Sequence, residues 1–213
     1  MRLPVAIIGC AAIFAALKPA TAEPSRAQRA DASPFMRVYG TSPAPYGFVA
    51  FCDRVPDECM PKAKSDVRFE GSPERLSELD QVNRTINAKI APATDLELYG
   101  VVEHWTLPSD KGDCEDYALL KRQVLIRRGW PSSALLITVV RDEMGDGHAV
   151  LTARTSQGDF VLDNKRQDIR LWNQTGYRFV MRQSFVDPRL WMALSPDSHD
   201  RYMNAPTSMQ GRR

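Results

Sequence analysis

Residues 135–141, 148–154, 160–163 and 177–183 read as four short strands, and the loops joining the first three are brief and bear glycine. Parallel neighbours need a crossover of a dozen or more residues, so those three runs have to pair as an antiparallel meander. Two helical stretches precede them. Ser72 can cap the first and Pro73 suits its first position; Leu76, Leu79, Val82, Ile86 and Ile90 then recur at spacings of three and four, until Ala91-Pro92 ends it. The second runs over about 114–128, with Arg127 and Arg128 at the negative end of its dipole and Gly129 and Pro131 stopping it. Helices first and sheet second specify an α+β domain, set here at 72–194.

The flanks differ from this core. Arg2, an apolar run from Leu3 to Leu17 and Ala20-Thr21-Ala22 before Glu23 have the anatomy of a cleaved secretory leader over 1–22. About 15 apolar residues are too few to span a bilayer as a helix. Ile7-Ile8-Gly9-Cys10 resembles a lipidation box, a weaker alternative because the apolar run continues past the cysteine. Removing Arg2 and Lys18 with the leader brings the 28 basic residues down to the 26 acidic ones. A neutral chain with no polybasic stripe has no means of neutralising a phosphate backbone, which argues against nucleic acid as a partner. Residues 23–71 read as an extended lead-in, with a strand expected near 36–39, and 195–213 as a polar tail.

Export gives the cysteines meaning. Of four, Cys10 leaves with the leader. Cys52 and Cys59 flank a short segment containing Pro56, and an oxidising compartment favours a local disulfide between them. Cys114 is then an odd thiol, in Gly112-Asp-Cys-Glu-Asp-Tyr-Ala118 at a helix start. Unsatisfied N–H groups there favour thiolate and can receive an oxyanion, whereas Asp113, Glu115 and Asp116 oppose thiolate formation. An imidazolium or a cation would offset them. His148 heads a strand, and a two-residue loop at 155–156 would set it directly opposite Asp163, with Cβ atoms about 4.5–5.5 Å apart. Asp163 would orient one ring nitrogen and leave the other for Cys114, which makes a Cys–His–Asp triad.

Blander readings exist for each residue: a buried inert thiol, a solvated turn histidine, a strand-end aspartate. They must hold together to displace the triad. Asp113 and Glu115 suit the first turn of any helix; a weaker alternative on sequence alone is the hard-oxygen shell of Ca²⁺. His104 and His199 read as solvated or structural, the cysteine spacing makes no zinc site, and the four tryptophans read as core anchors.

Val82-Asn83, Tyr99-Gly100, Trp105-x-x-Pro108, the Cys114 motif with Lys121, Gly147-His-Ala-Val150, Val161-Leu-Asp-Asn164 and Arg182-Gln-Ser184 occur in order. In these blocks the chain resembles the bacterial transglutaminase-like cysteine proteinase family over about 72–185. The resemblance implies a papain-like, transglutaminase-like fold, in which a helix bearing the nucleophile packs on an antiparallel sheet bearing His and Asp. It also implies a triad at Cys114, His148 and Asp163, and Ca²⁺ held by Asp113 and Glu115. It further implies a periplasmic endopeptidase whose partners are a cell-envelope or surface protein substrate, such as a biofilm adhesin, and a regulatory membrane receptor. Two alternatives share the same residues: transglutaminase-type acyl transfer to an amine, and a non-catalytic calcium-dependent binding module.

Overall fold

A computed structural model describes residues 33–61 and 68–198. The leader and residues 199–213 of the tail lie outside the described residues. A seven-stranded antiparallel sheet forms the body: β1 (Gly40–Ser42), β4 (Leu135–Arg141), β5 (Gly147–Thr155), β6 (Gly158–Leu162), β7 (Arg170–Leu171), β8 (Arg178–Gln183) and β9 (Trp191–Ala193), in the spatial order β1-β9-β8-β4-β5-β6-β7. The helices are α1 (Tyr46–Arg54), α2 (Pro56–Cys59), α3 (Pro73–Lys89), α4 (Asp95–Tyr99) and α5 (Cys114–Arg127). A two-stranded parallel pair, β2 (Ala91–Pro92) and β3 (Lys111–Gly112), ties the segment after α3 to the one before α5.

The sheet's alternation explains why helices cover one face. Ile137, Leu151 and Leu162 pack into one cluster with Leu79, Val82 and Ile86 of α3 and Tyr117, Ala118 and Leu125 of α5. Their neighbours Val140, Val150 and Val161 join Phe179, Met36 and Leu194 on the opposite face. Adjacent strand positions point to opposite sides, so one sheet serves two cores. Ser72 caps α3 by accepting from the Arg75 N–H, and Gly129, at φ +92°, takes the left-handed turn just past α5.

The segment ahead of α3 is more than a lead-in. Phe48 and Phe51 of α1 are 2% and 1% exposed, and Phe48 stands edge-on to Trp105 and Trp191 at 5.6 and 5.3 Å. Burying such a side chain stabilises by roughly 1.5–3 kcal/mol. The Cys52–Cys59 disulfide, with Cα atoms 5.6 Å apart, joins α1 to α2. The strand expected near 36–39 forms instead at Gly40–Ser42, where it pairs with β9 at the sheet edge.

Candidate active site

The α5 helix delivers Cys114 as its first residue, with Asp113 at the cap position. The cap carboxylate makes no hydrogen bond to the helix's own N–H groups, which leaves the helix start open towards β5. There the Ala149 N–H donates to Cys114 Sγ at 3.4 Å, and His148 is the residue immediately before it. His148 Nε2 lies 2.9 Å from Asp163 Oδ1, with both side chains almost wholly buried. Nδ1 is thereby the ring nitrogen left for other chemistry.

The route to the His148–Asp163 contact differs from the hairpin expected. The turn is Ser156-Gln157, so Thr155 pairs with Gly158 and Leu151 with Leu162. The register moves by two residues, and Asp163, just past β6, comes level with Val150, one diagonal step from His148. A two-residue shift conserves the face, and a diagonal neighbour is still within side-chain reach. Thr155 closes the turn, its hydroxyl donating to the Gly158 carbonyl while it accepts from the Gln157 N–H.

Asp163 is held from several directions. Its Oδ1 also accepts from the Lys165 N–H at 2.9 Å, and its Oδ2 from the Tyr177 hydroxyl at 2.6 Å. Asn87 of α3 donates to its backbone carbonyl. Burial alone would push the carboxyl up, but the hydrogen bonds and the His148 charge prevail and bring it down to about 2. Cys114 is in the opposite situation. Burial, the Glu115 charge and a 3.1 Å contact with Glu115 Oε2 push its thiol well up, opposed by the Ala149 N–H.

The parallel β2–β3 pair brings Asp95, the first residue of α4, beside Asp113, and the first turn of α5 adds Asp116. One oxygen from each of the three carboxylates lies within 4.8 Å of the others. Backbone groups hold the partner oxygens: the His104 N–H donates to Asp95 Oδ2, the Thr106 N–H to Asp116 Oδ1, and the Asp95 N–H to Asp113 Oδ2. Asp95 Oδ1, Asp113 Oδ1 and Asp116 Oδ2 are buried and take no hydrogen bond. Gly112 makes room for this packing, since a Cβ there would sit 2.6 Å from Asp116 Oδ2. Burial raises Asp116 to about 7; burial and the Asp113 charge raise Glu115 to about 8. Three clustered carboxylates, each with one oxygen that takes no hydrogen bond, suit a hard divalent cation. Of the two ligands expected from sequence, Asp113 belongs to this cluster; Glu115 lies outside it, turned to the Cys114 sulfur. Asp95 was not legible as a candidate, because only the β2–β3 pairing brings it 18 residues along the chain.

Cys114 and His148 together line two cavities. One, about 410 Å³, is walled by Pro92, Thr94, Glu97, Asn164 and Lys165; the other, about 360 Å³, by Pro43, Pro45, Glu103, Trp105 and Met181. Cys114, Gly147 and His148 are common to both walls.

A model of the bacterial transglutaminase-like cysteine proteinase family matches residues 38–199. No curated protein matches the sequence. Among solved structures, calcium-bound LapG of Legionella pneumophila is similar at 23% identity and a TM-score of 0.49, covering 73% of this chain and 87% of that one. An EGTA-treated form of LapG is similar at 20% identity and a TM-score of 0.46, over 76% and 87% of the two chains.

Proposed function

The chain belongs to the bacterial transglutaminase-like cysteine proteinase family and is a cysteine peptidase with the corresponding α+β fold; from that premise we propose that Cys114, His148 and Asp163 are its catalytic triad. The observation carrying this reading is the buried His148 Nε2–Asp163 Oδ1 contact one residue from the amide that touches Cys114 Sγ. In the reaction, the Cys114 sulfur attacks a peptide carbonyl while His148 Nδ1 takes the thiol proton. The Cys114 N–H, at the positive end of α5, receives the developing oxyanion. His148 returns the proton to the departing amine, and water, deprotonated by the same nitrogen, releases the acyl group from sulfur. Asp163 keeps the imidazole oriented and stabilises its cationic form.

Ca²⁺ is the cation proposed for the Asp95, Asp113 and Asp116 cluster, with Glu115 outside it. When bound it supplies positive charge that relieves the crowding of buried carboxylates beside the thiol. Burial raises the Cys114 thiol most, and the Glu115 and Asp113 charges add to it by disfavouring thiolate. The leader-like sequence of residues 1–22 supports a periplasmic enzyme whose substrate is a cell-envelope or surface protein. The test is N-terminal peptide profiling of the cell envelope, wild type against Cys114→Ala, each with and without chelator. New N-termini that need the thiol and disappear on chelation are expected. Identical profiles from the two strains would overturn the peptidase assignment of Cys114.

A further inference from the structure

Resting on the triad reading above, we propose that Tyr177 is a positioning residue of the active site: its hydroxyl clamps Asp163 and its ring braces His148. Asp163 sits just beyond β6, where no strand partner fixes it, and the terminal torsion of an aspartate is broad. One held oxygen leaves the carboxylate free to pivot; a second hold sets its plane. Oδ1 serves His148, and Oδ2 receives the Tyr177 hydroxyl at 2.6 Å, a short charge-assisted bond. The Tyr177 ring also stands edge-on to the imidazole, at 5.7 Å between centroids and 82° between planes.

Tyr177 is itself anchored well enough to act as a reference. It directly precedes β8, behind the left-handed Gly176, and its N–H donates to Thr175 Oγ1. Its ring packs against the core of Val150, Val161 and Phe179. Its hydroxyl donates to Asp163 Oδ2, and the nearby Arg166 guanidinium is paired with Glu143 at 2.9 Å. Burial and the Asp163 hydrogen bond both push the phenol up, which keeps it a donor wherever the enzyme works. Neither cavity that Cys114 and His148 share is lined by Tyr177; its ring borders a separate cavity of about 400 Å³ with Met36, Trp172 and Phe179. The residue therefore acts on the imidazole's orientation, needed in the transition state, and not on substrate binding.

The test compares wild type, Tyr177→Phe and Tyr177→Leu with p-nitrophenyl acetate as the acyl probe, scoring turnover per alkylatable thiol. Tyr177→Phe is expected to lose about 10- to 100-fold in kcat, as for a hydrogen bond to a charged group, with KM within about twofold. Tyr177→Leu, which also lacks the ring, loses more. The low-field proton resonance of His148 Nε2–H should broaden or move in Tyr177→Phe while the melting temperature stays close to wild type. An unchanged kcat with an unmoved resonance would overturn the proposal, and so would a loss that only tracks missing thiols or a lowered melting temperature. Cys114→Ala, run alongside, separates the two readings: turnover surviving in that variant sinks the triad, whereas an inert Cys114→Ala beside a fully active Tyr177→Phe sinks only the role of Tyr177.

Discussion

Lys121 offers a quantitative test of the electrostatics beneath the site. It lies one turn beyond Tyr117 on α5, fully buried, with its ammonium 5.7 Å from the Tyr117 ring centroid. Burial pulls its pKa from 10.5 down to about 7, with the Asp163 charge holding part of the loss back. Below pH 7 the amine is charged in both folded and unfolded chains, so the whole cost of burying it is present. Between 7 and 10.5 the unfolded chain binds more protons, and stability rises with pH; above 10.5 the cost is gone. The shift corresponds to a ceiling of about 5 kcal/mol. Lys121→Met keeps the volume and removes the charge. After the lost cation–π contact and the lost attraction to Asp163, a net gain of about 1–4 kcal/mol remains at pH 6. Urea unfolding of both proteins from pH 6 to 10.5 measures it, and the gain should shrink to nearly zero at the alkaline end. A gain constant with pH, or a destabilised variant at every pH, would refute the account of Lys121 as a cation held at a cost.

Other outcomes follow from the same geometry. Asp163 contributes about 2 kcal/mol that is in place above pH 3.8 and lost as pH falls through about 2, so Asp163→Asn should flatten that acid limb in unfolding experiments and slow turnover by about 10²–10⁴-fold. Added Ca²⁺ should raise the melting temperature after chelation, by the equivalent of about 3 kcal/mol at a hundredfold excess over Kd, and Asp95→Asn or Asp116→Asn should abolish that response; an identical response in the variants would place the ion elsewhere. Cys52→Ser with Cys59→Ser should cost about 2–3 kcal/mol, read as a fall in urea midpoint, while leaving Cys114 labelling intact. Phe48→Ala should cost about 3–5 kcal/mol, because its ring contacts Trp105 and Trp191 as well as the α1 side of the core.

What the sequence discloses and what it conceals divide along the distance over which each feature is determined. The α3 and α5 helices are readable because their apolar spacing, the Ser72 cap and the Gly129 stop are local, and observed bounds of Pro73–Lys89 and Cys114–Arg127 lie within a residue of those expected. The β5–β6 register is less so. Arg154 and Thr155 are equally plausible as the last strand residue, and the choice falls to the Thr155 hydroxyl bonding across the turn to Gly158, which places the turn at Ser156-Gln157. Residues 40–59 look like a connector because their composition is proline-rich and lacks a sustained period. Their place in the core depends on Phe48 meeting Trp105 and Trp191, from far along the chain. The same distinction runs through the site. Cys114, His148 and Asp163 each carry a short motif. Asp95 acquires a role only when Pro92 pairs with Gly112, and Tyr177 only when the sheet order sets β8 beside β4 and its hydroxyl reaches across to the end of β6. A tyrosine leading into a strand has the local appearance of a β-former, and nothing within a few residues of it distinguishes a phenol that packs from one that also holds a carboxylate in place.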